Sequence, residues 1–273
     1  MKVEELTLKN FNGRNFKLTF FRQEENKLLK KPDRPLALVI PGGSFNHYSI
    51  REGEPTALAF VSWGYDAAIL YYNLVQDSGD IYPDAALSGL SAIQYFRKNA
   101  QKLGIDAQQI ITIGFSAGGH VAAMMNSFAG SQKMQAQYGF ACEDVQANAT
   151  ILGYPLIDVK LVGLKIPAEQ LKFIPQAAFL RDASTGVNEL TPPTFIFQAV
   201  DDPIVLIDNA LIYIKALRAK QRPFEAHLFD HGGHGFGLAT PELELCERPW
   251  QNDAHLANWF QLSLEWLTRL FAN

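Results

Sequence analysis

With 273 residues the chain is long enough to bury a substantial core, and its 48% hydrophobic and 19% charged composition excludes a disordered polymer. A formal net charge of -4 supplies no basic field for a phosphate backbone, so nucleic acid is not an expected partner. The longest apolar runs, such as Leu36 to Ile40 and Ala67 to Leu70, are strand-sized and far short of the roughly 20 residues that span a bilayer, so no membrane partner is expected either.

The first residues, Met1-Lys2-Val3-Glu4-Glu5, carry acidic groups where an export signal has positive charge ahead of an apolar run, which points to a cytoplasmic protein. Val3 to Lys9 and Phe16 to Phe21 alternate apolar and polar residues around Asn12-Gly13, a pair suited to a tight turn; this predicts an antiparallel hairpin at a sheet edge. Leu36 to Ile40 reads as a buried strand ending at Pro41-Gly42-Gly43, followed by a helix from Glu54 to Trp63 and a strand from Ala67 to Tyr72. Pro83 to Leu103 has helical spacing and stops at Gly104. Ile110 to Phe115 is the next strand, and Gly118 to Phe128 the next helix. Ala149 to Leu152, Phe195 to Val200 and Glu225 to Phe229 supply later strands, with helices over Leu206 to Ala219 and Asp253 to Phe271.

This alternation predicts an α/β architecture, a mainly parallel sheet with helices on both faces. No repeat, low-complexity tract or linker divides it, so one domain over residues 1–273 is expected. Residues 127–144 and 158–191 fit the alternation poorly and are expected to be cap or pocket insertions over the top of the sheet. Cys142 and Cys246 form neither a disulfide framework nor a metal-binding pair, and read as simple thiols.

Gly114-Phe115-Ser116-Ala117-Gly118 fits the nucleophile-elbow pattern, in which small residues flank a serine held in a strained strand-to-helix turn. A strand precedes it and a small-residue helix follows, a context that a plain turn or N-cap serine would not need. Pro41-Gly42-Gly43-Ser44-Phe45 stands after an earlier strand, where such folds build the rest of an oxyanion hole. Amides of Gly43 or Ser44 would join that of Ala117 there; which of the two points inward is open, and a simple Pro-Gly turn is the alternative.

Phe195 to Val200 runs into Asp201-Asp202, either of which is placed to orient an imidazole while the other caps the turn. The last strand ends in Asp230-His231-Gly232-Gly233-His234-Gly235, a loop that offers two histidines as a base for Ser116. The pair His231-x-x-His234 has no neighbouring metal ligands in sequence, so no metal is expected there, and acyl transfer through a serine and a histidine requires no cofactor. His120, inside the helix after the elbow, reads as a packed histidine, and His47, His227 and His255 carry no distinguishing context.

Together these segments, with Arg51-Glu52-Gly53, Gly153-Tyr154-Pro155 and Gly232 to Gly237, resemble the acetyl-esterase and lipase-like branch of the α/β hydrolases, including bacterial enzymes similar to xylan acetyl esterases. The resemblance runs from about Leu36 to Phe271 and implies the α/β-hydrolase fold. By its pattern Asp201 is the triad acid and His234 the base, completing Ser116, Asp201 and His234. Many relatives have His-Gly-Gly-Gly where this chain has Pro41-Gly42-Gly43-Ser44. The implied activity is hydrolysis of small short-acyl esters, acetylated carbohydrates among them, in two acyl-transfer steps. Tyr48, Tyr154 and Phe236 adjoin the catalytic loops and are expected to line the pocket, with core packing as the alternative.

Two rival readings remain. Dipeptidyl and acylaminoacyl peptidases share the catalytic segments but carry a large N-terminal propeller, whereas barely 35 residues precede the first core strand here. A hydrolase-fold binding protein without catalysis would ordinarily have lost a triad member. Such hydrolases often self-associate, which leaves a homo-oligomer open, although no interface is legible in the residues.

Overall fold

A computed structural model describes residues 1–24, 33–164, 175 and 177–272. The first two strands, β1 (Lys2–Lys9) and β2 (Asn15–Arg22), pair antiparallel with Leu6 opposite Leu18. β3 (Arg34–Ile40), α1 (Glu54–Ser62), β4 (Asp66–Tyr71), α2 (Asp84–Lys98), α3 (Ala100–Leu103), β5 (Ile105–Phe115) and α4 (Ser116–Ala129) follow. Two short helices, α5 (Gln132–Tyr138) and α6 (Cys142–Val145), lead to β6 (Ala149–Gly153). The chain continues through α7 (Ala178–Arg181), β7 (Thr194–Ala199), α8 (Asp208–Ala219) and β8 (Phe224–Phe229) to α9 (Ala254–Phe271).

The eight strands form one sheet in the order β1-β2-β4-β3-β5-β6-β7-β8. β2 runs antiparallel to both neighbours, and every pairing from β4 to β8 is parallel. This is the α/β-hydrolase fold, with the N-terminal hairpin on one edge. Burial follows topology. The central strands β3, β5 and β6 are covered on both faces and read as nearly continuous apolar runs, whereas β1 at the edge alternates exposed and half-buried residues.

Two core layers result. On one face Leu36, Leu38, Leu70 and Leu152 pack against α2, α4 and α8. On the other, Val39, Ile113, Ile151 and Phe197 pack against α1 and α9, where Trp259 stacks on Phe197 with ring centroids 4.3 Å apart. α9 lies there because Leu256, Trp259, Ser263, Leu264 and Leu267 recur at helical spacing and are all buried.

Several boundaries differ from the sequence reading. The helix expected over Pro83 to Leu103 is interrupted at Asn99, whose side-chain amide donates to the Tyr95 carbonyl 2.8 Å away, and resumes as one turn before Gly104, which adopts a left-handed φ of 71°. β5 begins five residues early because Arg34 pairs with Ile105 across a register shift, a contact that the polar stretch Asp106 to Gln109 hides. Residues 127–144 are the end of α4 and two compact helical turns, with Met134 and Phe140 packed into the core. Of the insertion expected over 158–191, residues 165–174 and 176 lie outside the described residues; the remainder includes α7 and an isolated bridge between Asp158 and Asp182.

The loops that concern function leave the carboxyl ends of β3, β5, β6, β7 and β8. Their convergence on one edge follows from the parallel pairing of those strands.

Candidate active site

Ser116 joins the end of β5 to the first turn of α4 with φ of +50°, a left-handed conformation costly for a residue bearing a Cβ. The turn needs glycine beside it. A Cβ on Gly118 would stand 2.1 Å from the Ile40 carbonyl oxygen, and one on Gly42 would meet the Ser116 Cβ at 2.8 Å. The elbow and the loop after β3 therefore press backbone against backbone, which places Pro41 and Gly42 beside the elbow.

Ser116 is nearly buried, at 8% exposure, and its hydroxyl lies 2.9 Å from His234 Nε2. His234 Nδ1 lies 2.7 Å from Asp202 Oδ2. A carboxylate accepts only, so Nδ1 carries the ring hydrogen and Nε2 is left with a lone pair facing the Ser116 hydroxyl. Asp202 is held in turn by the amides of Ile204 and Val205, each 2.9 Å from Oδ1. That arrangement can do one thing well: take a proton from a hydroxyl and hold the resulting imidazolium against a fixed negative charge.

The Asp201 assignment is corrected. Its side chain is exposed and accepts the Gly233 amide at 2.8 Å, so Asp201 braces the histidine loop from outside while Asp202 reaches the imidazole. The physical reason lies in the turn: Ile204 and Val205 present two inward amides, and only the carboxylate they compensate can be buried there. Two adjacent aspartates in one turn carry no sequence signal that separates them.

Gly43 and Ser44 stand in a tight turn in which the Gly43 carbonyl accepts the Asn46 and His47 amides. Among the described residues their own amides have no hydrogen-bond acceptor, and Ala117 sits in the first turn of α4, where helical amides lack intrahelical partners. The Gly42 amide, by contrast, is taken by Glu52 Oε2 at 2.8 Å.

The expected pocket aromatics fare differently. Tyr154 and Phe236 are completely buried, so neither is an open wall; their rings pack with Phe197 in the core beneath the site. Tyr154 lies there because its hydroxyl donates to Glu52 Oε1 at 2.9 Å and accepts the Gly237 amide at 3.1 Å. Tyr48 is half-buried on Tyr71 and Tyr72, donates to the Tyr72 carbonyl, and lines a groove of about 620 Å³ with Lys17, Asn73 and Asp77. Nearer the serine, Leu156, Val159 and Val205 form a small apolar cluster with Phe45, Val162 and Ile204, and the Leu156 amide donates to the Ser116 carbonyl at 3.0 Å.

The other histidines do not reach Ser116. His231 is clamped between Asp230 and Asp253, at 2.8 and 2.9 Å, and those two hydrogen bonds push its pKa up to about 9. His120 is buried between the Tyr82 hydroxyl, 2.6 Å from Nδ1, and the Arg181 carbonyl, and burial pushes its pKa down to about 4. Among the described residues no group of three or more His, Cys, Asp and Glu side chains is placed to hold a metal ion, and no helix is long and apolar enough to cross a membrane.

Behind the histidine loop is a support that sequence reasoning missed. Gln251 donates to the His234 carbonyl at 2.7 Å and to the Gly232 carbonyl at 3.2 Å. Arg51 donates to the carbonyls of Gly235 and Phe236 and to the Gln251 side chain. Arg51 and Glu52 stood out in the sequence only as part of a family motif, with no role attached; Gln251 carried no signal.

Comparison with known proteins gives this geometry a setting. A family model described as BD-FAE matches residues 25–217. An endo-1,4-beta-xylanase B from Butyrivibrio fibrisolvens is 30% identical over 222 residues, covering 77% of this chain and 34% of that protein. An acetylxylan esterase from Xylanibacter ruminicola is 24% identical over 224 residues, 78% of this chain and 43% of the relative. The chain thus spans a third to a half of the length of these curated relatives. Among solved structures, a carboxylesterase from Lactobacillus plantarum superposes with a TM-score of 0.91 at 31% identity, covering 98% of each chain. An acetyl ester-xyloside bifunctional hydrolase from Caldicellulosiruptor lactoaceticus gives 0.72 at 27% identity, over 93% of this chain and 88% of that one.

Proposed function

Because the chain belongs to the BD-FAE family of α/β hydrolases, we propose that it is a serine carboxylesterase acting on small short-acyl esters, acetylated carbohydrates among them. The observation that carries this reading is the 2.9 Å approach of Ser116 Oγ to His234 Nε2, with Asp202 2.7 Å behind the ring. His234 takes the Ser116 proton as Oγ attacks the ester carbonyl, and the carbonyl oxygen becomes an oxyanion. The same proton then passes to the leaving alcohol. Water, deprotonated by His234, releases the acid from the acylated serine and restores the enzyme.

The amides of Gly43 and Ser44, which have no acceptor among the described residues, are with that of Ala117 the proposed oxyanion donors; each such donor is typically worth about 2.7 to 4 kcal/mol in the transition state. Support for a short acyl group comes from relatives named for acetyl ester chemistry. The carbohydrate part rests on relatives named for xylan and xyloside chemistry.

A fluorophosphonate probe tests the nucleophile: it should attach to Ser116 and abolish hydrolysis of p-nitrophenyl acetate. A panel from acetate to decanoate, with acetylated xylo-oligosaccharides alongside, tests the substrate. Preference for the long chains would overturn the short-acyl assignment, and an unlabelled Ser116 would overturn the nucleophile.

A further inference from the structure

One buried carboxylate next to the site has no part in the scheme above. Glu52 is 4% exposed and lies between the Pro41 loop and α1. Its Oε2 accepts the Gly42 amide and its Oε1 the Tyr154 hydroxyl, while the Tyr154 oxygen accepts the Gly237 amide. Every hydrogen in this line points toward the carboxylate, so neither Glu52 oxygen needs a proton of its own to complete the network. Burial pushes its pKa up, and the two donors, with His234 and Arg51 nearby, act against that rise.

The line connects three loops. Gly42 lies against Ser116; Tyr154 follows β6 and meets the His234 ring edge-on at 5.2 Å between centroids; Gly237 belongs to the histidine loop. The charged and titratable groups facing Glu52 are Arg51 beside it, Tyr72 at the end of β4, Tyr154 and His234. His234 faces Asp202 as well, and Arg248 donates to its carbonyl.

We propose that Glu52 is a positioning residue for acyl transfer, its ionised carboxylate fixing the Gly42 amide and the Tyr154 hydroxyl while its charge supports the imidazolium that forms on His234. The inference rests on Ser116 and His234 acting as nucleophile and base. With the Gly42 amide taken by Glu52, the amides left for an oxyanion in this loop are those of Gly43 and Ser44. The buried charge acts through protein rather than water, which weakens its influence on an imidazolium less.

The test is the pH profile of kcat/KM for p-nitrophenyl acetate, whose acid limb reports the free-enzyme histidine. Glu52→Gln keeps the shape and removes the charge, so the acid limb should move to lower pH and kcat should fall about 10-fold or more. Tyr154→Phe leaves the carboxylate with one donor fewer, so it takes up a proton more readily; that proton cancels the charge that supports the imidazolium, and the acid limb should move to lower pH as in Glu52→Gln, by a smaller amount. Acid limbs unmoved in both variants, whatever their Tm, would make Glu52 a purely structural residue and overturn the proposal. Should Glu52→Gln fail to fold, the Tyr154→Phe limb decides alone. Ser116→Ala separates the two levels: wild-type turnover there strikes the nucleophile assignment, whereas Ser116-dependent turnover with unmoved limbs strikes only Glu52.

Discussion

Asp202 Oδ2 and His234 Nδ1 lie 2.7 Å apart across the ends of two adjacent parallel strands, while Asp201, one residue earlier, holds only the Gly233 amide. The two aspartates therefore have separable roles. Asp202→Asn should lower kcat by about 10,000-fold, because the amide no longer fixes the ring tautomer that leaves Nε2 free. Asp201→Asn should cost about tenfold at most, since one exposed hydrogen bond is worth about 0.5 to 1.5 kcal/mol. Steady-state kinetics on p-nitrophenyl acetate distinguish them; equal losses would contradict the assignment.

Gln251 is almost fully buried and carries two carbonyls of the histidine loop. Gln251→Leu should leave those groups without their donor and destabilise the protein by about 1 to 3 kcal/mol. kcat should fall with the Tm, because the loop that aims His234 loses its anchor. A variant with wild-type kcat and Tm would show that the loop holds itself.

His231 ties the same loop to the start of α9, since Asp253 both accepts its Nε2 and caps the helix through the His255 and Leu256 amides. Its folded pKa of about 9 lies above the usual value of 6.5. A raised histidine pKa gives stability that is complete below about pH 6.5 and lost as pH rises through about 9. Asp230 and Asp253 are held below the ordinary carboxylate range by the same contacts, so their contribution is present above about pH 4 and fades as pH falls further. His231→Gln should therefore lower Tm more at pH 6 than at pH 10. Because the site is solvent-exposed the effect is small and weakens with salt. A Tm difference independent of pH would contradict the ion pair.

Gly118→Ala should fail differently from the Asp202 and Ser116 variants. Its added methyl meets the Ile40 and Pro41 carbonyls, fixed backbone with no rotamer to yield, so about 1 to 3 kcal/mol of stability should be lost together with activity. Circular dichroism melts alongside kinetics check this; lost activity at an unchanged Tm would mean that the elbow shifts without strain.

Much of the scaffold is legible in the residues because buried parallel strands need near-continuous apolar runs, as Leu36 to Ile40 and Ile110 to Phe115 show. The elbow is legible for a related reason: a backbone this crowded tolerates only glycine at Gly118. What escapes is side-chain direction. Asp201 and Asp202 are chemically identical, and the turn amides that draw one inward belong to ordinary residues, Ile204 and Val205. Tyr154 and Phe236 adjoin the loops of the candidate site in sequence, yet their rings point down into the core, a choice made by Glu52 and Phe197 far along the chain.

The most direct test of the account is mass spectrometry of the protein quenched during turnover of p-nitrophenyl acetate. One acetyl group should be found on Ser116, and Ser116→Ala should carry none and release no nitrophenol above background. Undiminished turnover by Ser116→Ala, or an acetyl group on another residue, would contradict it.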